Sequence, residues 1–165
     1  MGKVIEVGWL RLYLVQHAEA KPQAENPARP LSEKGQEDIQ RVANFIRTKG
    51  IEVSKIFHSG KLRAKQTAEA LAEGISSAGG VEQAEGLAPL NDPGILANRL
   101  KEELEDLVLV GHLPHLSKLA GLLLAGDPER KVVGFRNGGV VCLERDADGN
   151  WSVGWVLTPE ILAAK

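Results

Sequence analysis

Two short, almost continuously apolar segments constrain the fold of this chain: Leu10–Gln16 and residues 107–110. Both are too short for a buried helix and suit strands that are covered on both faces. A histidine stands directly after each, His17 behind the first and His112, after Gly111, behind the second. Helical patterns fill the sequence between them, and this alternation predicts an α/β layered domain.

Four amphipathic helices are predicted around these strands. Ser32 is a plausible N-cap for the first, which runs with apolar residues at helical spacing up to Gly50. A second strand over residues 54–59 precedes a helix that begins near Leu62 and ends at residues 76–80. The apolar stripe of that helix is formed by Ala64, Ala68, Leu71 and Ile75.

Two further helices and a hairpin complete the prediction. The spacing of Leu96, Leu100 and Leu104 predicts a helix over residues 93–105 that runs directly into the strand at Leu107. The next helix begins near Pro114 and, being apolar almost all round at residues 119–125, should be deeply packed. Residues 138–145 and 151–157, joined by a turn-rich segment, predict an antiparallel hairpin at the edge of a mostly parallel sheet.

Composition limits the classes of protein that the chain can belong to. Its 165 residues, 43% of them hydrophobic, suffice for one domain over residues 1–165, with residues 1–9 as a leader that forms either an edge strand or a mobile tail. The 20 Lys and Arg against 22 Asp and Glu give no basic surplus, so we expect no nucleic-acid partner and a local anion site. A single cysteine and no membrane or secretory signal predict a cytoplasmic protein with no membrane partner.

Polar side chains follow three of the predicted strands, where the crevice of an open α/β sheet lies. His17 and His112 are two of them, and the third strand ends at His58 and Ser59, with Arg63 four residues on in a helix. If the strands are neighbours, two imidazoles and a guanidinium converge. Arg63 at a helix N-terminus would bind a phosphate-like anion. One neutral imidazole could then act as nucleophile while the second bonds the transferred group.

Simpler interpretations stand beside this one. A single histidine at a strand end is more often structural than catalytic, and Arg63 could be a solvated helix charge. A zinc site would use His17, His58, His112 and His115, but their spacing matches the usual ligand patterns poorly and no Cys pair is nearby. We therefore expect neither metal nor cofactor.

The motifs LYLVQHAEA, RPLSEKG, HSGKLRAKQTAEAL and LVLVGHLPHLSKLAG, in this order between residues 12 and 124, resemble the histidine phosphatase superfamily. In particular they resemble its short, SixA-type phosphohistidine phosphatases, and the closing WSVGWVLTPEIL is also similar. The resemblance implies a phosphoglycerate-mutase-like, three-layer α/β/α sandwich. It also implies a cofactor-independent phosphatase that transfers a phosphoryl group onto a strand-end histidine and then to water.

The same resemblance assigns roles to individual residues. His17 matches the nucleophile, Arg63 the arginine that clamps the phosphate, and His112 the second histidine. Arg29 matches an arginine at the entrance of the site, and Ser59 offers a hydroxyl or N–H to the anion unless it only caps a helix. His58 and His115 match nothing obligatory, so rim or structural positions are expected for both.

One motif departs from the family pattern, which is usually Arg-His-Gly and here is Gln16-His17-Ala18. Gln16 can still donate N–H groups to a phosphoryl oxygen but brings no charge, so phosphate affinity should fall. With one cation fewer, His17 should also keep its proton to higher pH, which lowers the attacking fraction near neutrality. Ala18 in place of glycine predicts a turn without positive φ.

The general acid and the substrate stay open. Glu19, Glu85 and Asp92 are candidates for the acid, and each could equally be a solvated carboxylate. The leading interpretation is a phosphohistidine phosphatase whose partner is a phosphorylated protein; the enzymatic alternative is a phosphomonoesterase with a small phosphorylated substrate. From another class, the chain could be a phospho-ligand binding module in which Gln16 has abolished turnover. The oligomeric state is not predicted.

Overall fold

One mixed six-stranded sheet forms the centre of the computed structural model, which describes residues 8–164. The strand order is β5-β3-β6-β1-β7-β8. Its parallel part consists of β1 (Leu10–Gln16), β3 (Lys55–His58), β5 (Val81–Gln83) and β6 (Leu107–Gly111). An antiparallel hairpin of β7 (Val140–Arg145) and β8 (Trp151–Leu157) adds to β1. A separate parallel pair is formed by β2 (Glu52–Val53) and β4 (Ser76–Ser77).

Helices cover both faces of the sheet. One core contains residues of α1 (Glu33–Arg47) and α2 (Leu62–Leu71), the other residues of α3 (Pro93–Leu100) and α4 (His115–Ala125). Successive side chains of a strand point to opposite faces, so Val15 of β1 packs in the first core and Leu14 in the second. A short α5 (Pro159–Leu162) contacts α1. The predicted three-layer α/β/α sandwich with an antiparallel edge hairpin is confirmed.

The helices on the first face follow from local sequence. The Ser32 hydroxyl accepts a hydrogen bond from the N–H of Gly35 at 3.0 Å, which caps α1 as predicted. The stripe predicted for α2 is fully buried at Ala64, Ala68 and Leu71. Because alanine is small, α2 lies close to the sheet and its first turn is carried to the strand ends.

The third helix is shorter than its leucine spacing predicts. It ends at Leu100 rather than at residue 105, and Leu104 is 64% exposed. The guanidinium of the buried Arg145 donates hydrogen bonds to the carbonyls of Leu100 and Glu103. The N–H of Leu104 donates to the Glu103 carboxylate at 3.0 Å instead of continuing the helix. A side chain 45 residues away in sequence therefore ends α3.

Two further elements differ from the prediction. The second helix ends at Leu71, and residues 76–80 contain β4, which pairs with β2, instead of forming its end. The sequence prediction also missed β5, whose three half-buried or exposed residues are too few to show a pattern.

The last predicted helix and the hairpin need smaller corrections. In α4, residues 122–124 are only partly buried and Ala125 is exposed, so the helix is not deeply packed all round. The first hairpin strand starts at Val140 rather than at residue 138, because Gly138 adopts a left-handed φ of 74° in the preceding turn.

The predicted leader falls largely outside the described residues. Residues 1–7 lie there, and Gly8 and Trp9 precede β1 without joining a strand. One domain over residues 1–165 stays a prediction. Among the helices of the described part, none is long and apolar enough to cross a membrane.

Candidate active site

The carboxyl ends of β3, β6 and β1 lie side by side, because these strands are neighbours and run parallel. The N–H of His17 donates to the carbonyl of Gly111 at 3.0 Å, which extends the ladder by one residue beyond β1. His112 follows Gly111 directly. The two imidazole rings are therefore brought together, with centroids 5.0 Å apart.

A hydrogen bond to the backbone fixes the tautomer of His17. Its Nδ1 lies 2.7 Å from the carbonyl oxygen of Ala18, which can only accept. Nδ1 must therefore carry the hydrogen, and in the neutral ring Nε2 keeps the free lone pair. An imidazole in this form is a nucleophile at Nε2.

The second histidine is paired with a serine. His112 Nε2 lies 2.6 Å from the hydroxyl oxygen of Ser59, and its buried Nδ1 has no hydrogen-bond partner in the described part of the chain. Ser59 follows β3, so the pair joins the ends of two adjacent strands. The imidazole is thereby held in place with one ring nitrogen still unpaired.

Two arginines supply positive charge. Arg63 is the second residue of α2, whose N-terminus has no side-chain cap, and its buried Nε has no partner among the described residues. Arg29 donates from Nε to the carbonyl of Lys21 at 3.1 Å. Burial and, more weakly, the charge of Arg29 lower the pKa values of both His17 and Arg63, so the field of Arg29 reaches His17. Unpaired guanidinium and helix N–H groups together form an anion site.

Burial keeps both histidines neutral. It lowers the pKa of His17 to about 4, with the charges of Arg63 and Arg29 acting in the same direction. It also lowers the pKa of His112 to about 3, again with help from Arg63. The expected loss of attacking fraction near neutral pH does not follow, since removal from water holds the pKa of His17 well below neutrality even without a cation at position 16.

Comparisons with known proteins agree with this geometry. A family model described as histidine phosphatase superfamily (branch 1) matches residues 12–91. An uncharacterized protein of Picosynechococcus sp. is 33% identical over 78% of this chain and 86% of its own length. The chain belongs to the histidine phosphatase superfamily.

Two SixA comparisons support this assignment and the type of enzyme. Phosphohistidine phosphatase SixA of Escherichia coli is 23% identical over 91% of this chain and 94% of its own. A structure of the protein histidine phosphatase SixA with tungstate superposes with a TM-score of 0.81 at 23% identity, covering 93% of this chain and 99% of the other. The chain is accordingly a SixA-type histidine phosphatase with the phosphoglycerate-mutase-like fold.

Position 16 of this phosphatase is occupied by a partly buried glutamine. Its Oε1 is buried without a hydrogen-bond partner among residues 8–164. The residue ends β1, one position before His17. As predicted, Ala18 does not have a positive φ. Among the non-glycine residues of the described chain, only Arg29 does.

The three candidate acids occupy different surroundings. The Glu19 carboxylate accepts a hydrogen bond from the Ser32 hydroxyl at 2.9 Å, beside the start of α1. Asp92 caps α3 through the N–H of Gly94 at 2.8 Å. Glu85 is exposed and lines a cavity of about 460 Å³ together with Ser59. Of the three carboxylates, only that of Glu85 therefore lines this cavity with Ser59, the hydrogen-bond partner of His112.

The other two histidines sit in structural surroundings. His58 is buried, and its Nδ1 accepts a hydrogen bond from the N–H of Gly60 at 3.0 Å. His115 is fully buried in the first turn of α4, and neither ring nitrogen has a partner in the described chain. Within residues 8–164, no group of three or more His, Cys, Asp or Glu side chains is arranged to hold a metal ion.

Sequence reasoning missed three residues that hold the backbone at His17. The Ala18 N–H donates to the Thr67 hydroxyl oxygen at 2.9 Å, and the Asn137 side chain donates to the His17 carbonyl at 3.0 Å. The N–H of Gly138 reaches the same carbonyl at 3.3 Å. Thr67 stands four residues after Arg63 in its helix, a spacing that could have identified it; nothing local links residues 137–138 to His17.

Proposed function

We propose that this phosphatase removes the phosphoryl group from phosphohistidine side chains of proteins through a phosphohistidine intermediate on His17. The observation that carries the proposal is the state of His17. Its ring is neutral near pH 7, its Nδ1–H is held by the carbonyl of Ala18, and its Nε2 lone pair is free in the field of the unpaired Arg63 guanidinium. A nucleophile needs this combination of protonation state, orientation and neighbouring charge.

In the first step, Nε2 of His17 attacks the phosphorus atom and forms a P–N bond while the P–N bond of the substrate breaks. Arg63, the start of α2 and the amide N–H groups of Gln16 would hold the phosphoryl oxygens. The second ring, His112, would stabilise the transferred group from its place beside Ser59. The departing imidazole takes its proton from water and leaves as a neutral ring.

In the second step, a water molecule attacks the phosphorus atom of phosphorylated His17. The P–Nε2 bond breaks, its electron pair returns to the ring, and inorganic phosphate leaves with the oxygen of the water. Both water protons go to phosphate or solvent. The histidine regains the tautomer that its hydrogen bond to Ala18 selects.

A phosphohistidine substrate is supported by the relative from Escherichia coli that is named phosphohistidine phosphatase SixA, and a protein substrate by the structurally similar protein histidine phosphatase SixA. An imidazole also leaves more readily than an alkoxide, so the reaction needs little help from a general acid. Neither Glu19 nor Asp92 is free for that task, since each carboxylate accepts a local hydrogen bond.

The test compares His17→Ala with the wild type and with His115→Leu, a matched change of a buried histidine whose ring forms no hydrogen bond in the described chain. Release of phosphate from a phosphohistidine protein should disappear in His17→Ala and persist in His115→Leu. Wild-type enzyme incubated with labelled substrate and quenched in alkali should carry an acid-labile label that His17→Ala lacks. Equal rates in His17→Ala and wild type would overturn the proposal.

One observation favours a second candidate, hydrolysis of a small phosphomonoester. The exposed Glu85 carboxylate lines the same cavity as Ser59, where it could protonate an alkoxide leaving group. Glu85→Gln should then slow hydrolysis of an alkyl phosphate much more than that of a phosphohistidine peptide. Equal effects on the two substrates would count against this candidate.

A further inference from the structure

A cavity of about 460 Å³ lies next to Ser59, beside the His17–His112 pair. Its lining includes Ser59, Gln83, Glu85, Ile95 and Arg99. Ser59 is also the partner of His112, so the cavity and the phosphoryl site share a wall. A substrate whose phosphoryl group lies at His17 and His112 can extend its remaining atoms into this space.

One wall of the cavity is the exposed side of α3. Ile95 and Arg99 are four residues apart on this helix and therefore lie on the same face. Ile95 is 51% exposed, and Leu90, in the loop just before the helix, is 90% exposed. Exposed apolar side chains beside a cation are common where a protein binds a peptide.

Arg99 has no partner of its own. Within residues 8–164, its guanidinium forms neither an ion pair nor a side-chain hydrogen bond, although other surface cations such as Lys55 and Lys118 do form ion pairs. Glu85, on another wall of the cavity, is likewise not in an ion pair in the described chain. The cavity thus holds one free charge of each sign.

The two charges suit two parts of a phosphohistidine segment. The neutral imidazole that leaves carries one N–H group, which can donate a hydrogen bond to the carboxylate of Glu85. A guanidinium binds the carboxylate of an acidic residue near the phosphohistidine in the peptide chain. A lysine or arginine at that place would instead be repelled by Arg99.

We propose that this cavity is the leaving-group subsite and that Arg99 selects phosphohistidine segments with acidic neighbours. This inference rests on the proposed function. It adds a specificity-determining residue on α3 and the chemical class of segment that the enzyme accepts. Ile95 and Leu90 would contact apolar side chains of the same segment.

The experiment uses the full chain and two phosphohistidine peptides that differ only in the three residues on each side of the phosphohistidine, glutamates in one and lysines in the other. The wild type should prefer the acidic peptide about fivefold in kcat/KM at low salt, the size expected of one exposed ion pair. Arg99→Glu should lose or reverse this preference through KM, with kcat little changed. The matched control Lys101→Glu changes the same charge at the end of the same helix, outside the cavity lining, and should keep the preference.

The outcomes separate the two proposals. If the wild type hydrolyses neither peptide, the proposed function fails. If it hydrolyses both and Arg99→Glu keeps the wild-type preference, or Lys101→Glu loses it equally, the subsite is wrong while the function stands. A preference that disappears in Arg99→Glu alone supports the subsite.

Discussion

An arginine lies near each end of strand β1, Arg145 of β7 at the amino end and Arg63 of α2 at the carboxyl end, and the two are used differently. At the amino end, Arg145 pairs with Leu10 in the sheet and donates to the carbonyls of Leu100 and Glu103. At the carboxyl end, the guanidinium of Arg63 donates to no described residue, whereas in Arg145 only the buried Nε is left unpaired. A cation that is satisfied by the backbone stabilises the fold, whereas one that is left without partners is available to a ligand.

The same contrast applies to the other polar atoms at the carboxyl end. Gln16 Oε1 and His112 Nδ1 are also buried without partners in residues 8–164. Leaving buried polar atoms unpaired costs about 1–3 kcal/mol each. Those of Gln16, Arg63 and His112 belong to the candidate site, where they are available to a ligand.

The largest effect should come from removing the unpaired arginine. Arg63→Met should lower kcat/KM about 10²–10³-fold, the usual loss for one donor to a developing oxyanion. The melting temperature of this variant should not fall, because the guanidinium of Arg63 forms no stabilising hydrogen bond or ion pair within the described part of the free protein. Lys65→Met removes the same charge from an exposed position of the same helix and should keep activity near that of the wild type. A large loss of stability in Arg63→Met would break the contrast between the two ends.

The opposite pattern is expected at the amino end. Arg145→Met should lower the free energy of unfolding by about 2–4 kcal/mol, because it removes the donor from the buried carbonyl of Leu100 and from the partly buried carbonyl of Glu103. Denaturant titration measures this change. The kcat/KM of the folded fraction should stay the same. Arg11→Met, at an exposed position of β1, should change stability by less than about 1 kcal/mol.

Local sequence predicts some of these elements and not others. Ser32 and the alanines of α2 act through their neighbours in the chain, so α1 and the start of α2 were predictable. The end of α3 was not, because the group that ends it lies on β7. In the site, the positions of His17 and His112 at strand ends can be read from the sequence. The contact of Asn137 with His17 cannot, because the two residues are 120 positions apart. The pKa of His17 depends on burial, which no motif reports.

A third prediction concerns protonation of His17. Because its folded pKa of about 4 lies below the ordinary value, the folded protein favours the neutral ring, and stability falls as pH decreases from 6.5 towards 4. Nuclear magnetic resonance of ¹⁵N-histidine-labelled protein, with His17 assigned by His17→Gln, should show a neutral Nδ1–H ring between pH 8 and 5. The exposed histidine of a peptide control should titrate near 6.5. Titration of His17 at that same pH would mean that the site is not closed to water.

The smallest expected effect tests position 16, where this chain departs from its family. Gln16→Arg should strengthen inhibition by vanadate about fivefold, since a hydrogen bond to a charged donor exceeds a neutral one by about 1 kcal/mol. The gain is limited because Arg63 and Arg29 already place two positive charges near the anion and would repel a third. Gln40→Arg on the exposed side of α1 adds the same charge away from the site and should leave inhibition unchanged. If vanadate inhibits Gln16→Arg no more strongly than Gln40→Arg, position 16 does not have the role in anion binding that is assigned to it.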